Sequence, residues 1–349
     1  MASFLADVVS AEQLPMVWFA LIGLLLAGYL ILDGFDLGVG ILHLLVPRDE
    51  TERRLSINSI GPLWDGNEVW LVTFGGALLA MFPYGYATAF PAFYTAFMLL
   101  LFALIFRAVS MEFRGKMHAR WARRSWDFGF FFGSFLASFL FGVAGGNVVA
   151  GLSLNLRGEY QGSLLEQLQP YGVATGLFVV ALFTLHGSIF LHLKLTGDYQ
   201  RRMGLAMRAA WVAFALLYAV VTVWTVGWVP RATANFDTYR WLWIVPAANV
   251  VLVAALGRLV WQRRAIAAFA TSATMIASLV LLLAAALFPN LINAVDPAAD
   301  LRIVDAASST KTLIIGLIVV GIGLPFVCVY TVIIYWTFRG KTRLESHSY

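Results

Sequence analysis

Two short stretches of the chain each carry a pair of carboxylates three residues apart. Asp33 and Asp36 stand in the run Leu32 to Gly38, and Asp65 and Glu68 in the run Gly61 to Trp70. Residues at that spacing share one face of a helix. Both stretches are flanked by long apolar runs. An ionisable side chain inside a membrane span costs roughly 2.5–3.5 kcal/mol on insertion scales, so each such residue is a functional candidate. Carboxylates in apolar surroundings can take up and release protons near working pH. Arg107 is a candidate partner. Residue chemistry alone leaves a structural role, capping a broken helix or pairing with Arg, as open as proton conduction. Pro62 and Gly66 favour a local break beside Asp65. Gly34 and Gly38 form a small-xxx-small pair that lets a second helix approach closely.

The elements that must position these groups are membrane spans. Of the 349 residues, 60% are hydrophobic and only 12% charged, and the mean hydropathy is +0.80. A soluble domain has about 45–50% apolar and about 25% charged residues. The fold expected is therefore an all-α polytopic membrane protein, one integral-membrane domain over 1–349 with helices packed as bundles. About 20 apolar residues cross a bilayer as a helix, and nine segments qualify: 15–46, 57–82, 83–110, 125–150, 170–193, 206–228, 241–261, 266–288 and 311–338. The first exceeds one bilayer thickness and must tilt or protrude. No Lys or Arg occurs in the first 14 residues, so no cleaved secretory leader is expected.

Orientation follows from Lys and Arg. Of the 24, only Arg157, Arg231, Arg240, Arg302 and Lys311 fall in one set of alternate loops, and the rest fall in the other set or the C-terminal tail. The positive-inside rule then puts the N-terminus in the periplasm and the C-terminus in the cytoplasm. It also explains the net charge of +5 without nucleic acid. Asp36 lies ten residues before the cytoplasmic end of the first span and Asp65 eight after the start of the second. Both are thus expected on the order of 12–15 Å from that boundary.

Cofactor chemistry has little foothold. Cys328 is the single cysteine, so neither an internal disulfide nor a Cys-based metal site is available. The histidines are His43, His118, His186, His192 and His347. Only His186 sits well inside a span, so no pair at matched depth is offered to a haem, and His186 reads as a hydrogen-bonded packing residue. No metal site is expected. Walker A, dinucleotide-binding and HExxH motifs are absent.

Several linked segments carry a resemblance. Asp33 to Gly40, Thr51 to Arg54, Asn58 to Trp70 and Gly75 to Leu78 resemble subunit II of cytochrome bd-type quinol oxidases. Phe90 to Tyr94, Phe106-Arg107, Trp126 to Gly129, Gly133 to Phe135 and Gly145 to Asn147 continue the pattern. Order and spacing hold through about the first 150 residues, and more loosely thereafter. The resemblance implies a bacterial inner-membrane subunit of a terminal quinol:oxygen oxidoreductase. The partner, subunit I, would carry haem b and haem d-type groups and oxidise ubiquinol or menaquinol, and this chain alone would be inactive. Small accessory subunits and a structural quinone are further associations that the resemblance allows. Asp65 matches an acid on a proton path, Trp70 a residue at the mouth of an oxygen path, and Asp36 and Arg107 positions close to that polar network; Asp33 joins the candidate proton path through its shared helix face with Asp36. Glu68 departs from the Gln common in relatives, which adds a titratable group. A proton-coupled secondary transporter and an inert scaffold are the rival readings.

Overall fold

The computed structural model describes residues 12–344. His347 and residues 1–11, on which the expectation about a leader bears, lie outside them. The chain is a bundle of helices in the order α1 (Leu14–Leu42), α2 (Glu50–Ile60), α3 (Trp64–Met81), α4 (Pro83–Ala92), α5 (Tyr94–Arg114), α6 (Arg120–Ala150) and α7 (Leu164–Gln167). There follow α8 (Pro170–Lys194), α9 (Gly197–Trp228), α10 (Pro230–Thr238), α11 (Ile244–Trp261), α12 (Ala265–Leu287), α13 (Ile303–Ala306) and α14 (Thr310–Thr337). Strands β1 (Asn290–Ile292) and β2 (Leu301–Arg302) pair antiparallel.

Eight of these helices are long and apolar enough to cross a membrane: α1, α5, α6, α8, α9, the Arg240–Trp261 segment containing α11, α12 and α14. The expected span 57–82 is not one helix. It divides at Gly61-Pro62-Leu63 into α2 and α3, because proline lacks an amide donor and its ring crowds the preceding turn. The apolar half, α3, has 18 residues and carries Asp65, Asn67 and Glu68, so it falls outside that set of eight. The expected span 83–110 is likewise two helices, α4 and α5. Pro91 lies in the last turn of α4, and Phe93, at φ −99° and ψ 21°, separates it from α5.

Helix α8 is the most enclosed. It packs against α1, α6, α9 and α12. Glycines set the α1–α8 crossing: a Cβ on Gly34 would meet the Phe183 ring at 2.8 Å, and one on Gly38 would collide with the Phe183 carbonyl and approach the Gly187 Cα at 2.9 Å. Here two backbones touch, as small residues allow.

Hydrogen bonds sort the loops into two ends. At one end Leu152 N donates to Asn293 O (2.8 Å), Ser308 N to Met81 O (2.8 Å) and Arg231 to Asp300. At the other, Arg202 pairs with Glu52, Arg114 with Glu50 and Arg208 with Trp261 O. Lys341 Nζ there donates to the carbonyls of Leu193 and Leu195 at the end of α8, a favourable place for a cation.

Candidate functional site

The acidic motif of α1 ends up in the middle of the protein. Asp33, Asp36 and Arg107 are each 0% exposed. Arg107, from α5, donates through Nη1 to Asp33 Oδ1 (2.8 Å) and through Nη2 to Glu68 Oε1 of α3 (2.9 Å). The second oxygen of Asp33 accepts from the Tyr29 hydroxyl at 2.8 Å, one turn earlier on α1. Asp33 is thus satisfied on both oxygens.

Asp36, on the same face, is held differently. Its Oδ2 accepts from the Asn67 amide at 2.7 Å, and its Oδ1 has no partner among the described residues. Asn67 also donates to Leu32 O and accepts from the Tyr335 hydroxyl of α14 at 3.1 Å. One guanidinium therefore faces three carboxyls, those of Asp33, Asp36 and Glu68. Uncompensated buried charge is costly, and here one guanidinium is set among three carboxyls. Carboxyl groups are a chemical class that can accept and release protons.

Asp65 does not join this interior. Burial beside Asp36 and Glu68 was expected, but its side chain lies exposed on the outer side of α3. It makes no hydrogen bond or ion pair among the described residues. Glu68, a residue type with one more methylene, bends inward to Arg107 with its side chain 26% exposed, while the shorter Asp65, one turn earlier, stays outside. The two remain close enough to feel each other's charge. Trp70 covers Gly28 of α1, and its indole nitrogen has no partner among the described residues.

A second buried charge cluster went unnoticed in the sequence. His43, just past α1, is 0% exposed and bonds Asp127 of α6 at 2.6 Å. Arg114 at the end of α5 binds Asp127 through Nε and grips Glu50 with two parallel bonds of 2.9 Å. Arg114 was counted as a loop charge, because α5 was expected to end at 110. Its spacing from Arg107, seven residues or two helical turns, was the available signal.

Besides His43, two further histidines are bonded to protein partners. His186 Nδ1 bonds Ser272 Oγ (2.7 Å) and Nε2 bonds Ile31 O (3.0 Å), and Phe269 stacks on its ring. His192 bonds Gln200 O. Among the described residues no group of three or more His, Cys, Asp or Glu is placed to hold a metal ion. His186, well inside its span, has both ring nitrogens taken by protein partners.

The cytochrome bd terminal oxidase subunit II family matches residues 14–338. The chain belongs to that family. It is 34% identical to the cytochrome bd-I ubiquinol oxidase subunit 2 of Escherichia coli (strain K12), over 96% of this chain and 97% of that one. It is 32% identical to the cytochrome bd ubiquinol oxidase subunit 2 of Bacillus subtilis (strain 168), over 93% and 96%. The bd oxidase structure from Geobacillus thermodenitrificans shares the fold, with a TM-score of 0.69 at 15% identity, covering 93% of this chain and 99% of that one. As a cytochrome bd subunit II, the protein is an integral-membrane part of a terminal oxidase, an oxidoreductase complex. This replaces the transporter reading, which none of these relatives supports.

Proposed function

We propose that this subunit packs in the bacterial cytoplasmic membrane against a haem-bearing subunit I that oxidises quinol, and that it passes cytoplasmic protons to the oxygen-reducing site there. The N-terminus lies in the periplasm and the C-terminus in the cytoplasm, in line with the Lys and Arg asymmetry. The haem b and haem d-type groups belong to the partner. The observation that carries the reading is the single Arg107 set among three carboxyls, with Asp36 tied to one neutral amide only.

The residues divide the work. Asp36 takes up and releases a proton inside the bundle. Arg107 keeps Asp33 in place and limits the repulsion between Asp33 and Glu68. Glu68 reaches from that interior to the outer side of α3, and Asp65 on that side hands the proton across to the partner. Trp70, over Gly28, stands at the mouth of an oxygen path.

Asparagine keeps the shape of aspartate and removes the proton carrier. Asp65→Asn is expected to leave haem content and assembly near wild type. Oxygen uptake per haem should fall by about a hundredfold or more, the usual scale of a lost proton-transfer group. Normal turnover per haem would remove Asp65 from any obligatory proton route.

A further inference from the structure

Most of α14 is exposed, yet it sends one side chain to the acidic cluster. The Tyr335 ring lies edge-on to Phe35 of α1 at 6.3 Å, and its hydroxyl donates to Asn67 Oδ1 of α3 at 3.1 Å. Phe35 is the chain neighbour of Asp36 and is wholly buried. Just beyond Tyr335 the chain is fastened to the end of α8. Lys194 Nζ donates to Phe338 O at 2.6 Å, and Thr342 N donates to Lys194 O at 2.9 Å. Ring packing and an anchored helix end together hold the Tyr335 hydroxyl at Asn67.

Asn67 joins Tyr335 to Asp36 and is itself only 2% exposed. Its Nδ2 donates to Leu32 O at 3.2 Å and to Asp36 Oδ2 at 2.7 Å. A backbone carbonyl can only accept, so Leu32 O fixes which end of the amide carries the hydrogens. Both amide hydrogens are then used, and Oδ1 is left to the Tyr335 hydroxyl. A rotated amide would set oxygen against the Leu32 carbonyl. Asp36 Oδ2 therefore faces an N–H. The carbonyl oxygen of a neutral carboxylic acid accepts such a bond better than its hydroxyl oxygen does. The hydroxyl of neutral Asp36 is thus Oδ1, which has no partner among the described residues.

We infer that, with Asp36 as the proton carrier proposed above, Tyr335 is a positioning residue for proton uptake: through Asn67 it keeps an N–H on Asp36 Oδ2 and so assigns the proton to Oδ1. Without the Tyr335 hydroxyl the Asn67 amide loses one of its three anchors, and its bond to Oδ2 loosens.

The test uses the purified oxidase complex and two readouts, oxygen uptake per haem and the carboxyl region of the reduced-minus-oxidised infrared spectrum. Asp36→Asn should slow oxygen uptake and remove one protonated-carboxyl C=O band. A carbonyl that accepts a hydrogen bond stretches at lower wavenumber than a free one. Tyr335→Phe keeps the ring and should leave assembly and haem content unchanged. It should move the Asp36 band to higher wavenumber and slow oxygen uptake per haem by about two- to tenfold, the kinetic equivalent of one hydrogen bond. Asn67→Leu, similar in size but without an amide, should move the band further in the same direction. A band at its wild-type position in both variants would make Tyr335 a packing residue and overturn the inference, even with Asp36→Asn slow. The absence of any Asp36-dependent band would overturn it too. Normal turnover in Asp36→Asn would instead remove the carrier reading, and the inference with it.

Discussion

Arg107 and Asp33 face each other across the α1–α5 boundary at 2.8 Å, both wholly buried. Neither charge is supportable there without the other. Taking two ions out of water costs several kcal/mol each, and only close pairing with further hydrogen bonds returns it. The Tyr29 hydroxyl supplies one such bond to Asp33, and Glu68 supplies a second carboxylate to Arg107.

Arg107→Gln leaves Asp33 buried and unpaired, which typically costs about 3–5 kcal/mol. The expected result is a steep drop in the yield of haem-bearing complex. Combining it with Asp33→Asn should restore part of that yield, because the stranded charge is gone. Equal yields for the single and double variants would show that the pair is not energetically coupled.

Gly38→Leu should prevent α1 from seating on α8. A Cβ at Gly38 already collides with the Phe183 backbone, and backbone cannot swing aside as a side-chain tip can. Membrane-inserted subunit without assembled oxidase is the expected outcome on a native gel. Wild-type assembly would refute this account of the contact.

His186→Ala should leave every haem band in the reduced-minus-oxidised spectrum of the assembled complex. Both ring nitrogens are held within the protein, by Ser272 and Ile31 O. Some loss of thermal stability is expected, since the change opens a void among Phe35, Phe269 and Ser272. Selective disappearance of one band with assembly intact would make His186 a haem ligand.

The Glu50–Arg114 pair gives an acid-side signature. Partial burial pulls the Glu50 carboxyl up, but its hydrogen bonds to Arg114, with Arg114 and Arg123 charges beside it, hold it below its ordinary 4.5. A group whose folded value is depressed stabilises the protein above its unfolded value and loses that contribution as pH falls through the folded one. The thermal midpoint of the wild-type complex should therefore fall between about pH 5 and about pH 3 by more than that of Glu50→Gln. Parallel curves for the two proteins would mean that the pair adds nothing.

How much of this was legible beforehand differs from residue to residue. Long apolar runs announce membrane helices because lipid offers no partner for a bare amide, so a spanning segment has to satisfy its own backbone. The start of α8 at Pro170, the end of α12 near residue 287 and the loop alternation are local consequences of that rule. The acidic motifs of α1 and α3 stood out because charge in an apolar run is conspicuous. Pro62 signalled the break before α3, whereas the one near Phe93 was harder, since hydropathy averages across Pro91 while backbone geometry does not.

Amino-acid order by itself thus determined the membrane class, the helical fold, the family motifs and the identity of the acidic residues. The tertiary structure decided which of those acids meet. Asp33 and Arg107 are separated by 74 positions and His43 and Asp127 by 84, and no periodicity within one helix encodes such a pairing. It also turned Glu68 inward and Asp65 outward on adjacent turns. Helix formation depends on neighbours one turn away, whereas pairing, burial and cavities depend on which faces the packed bundle brings together.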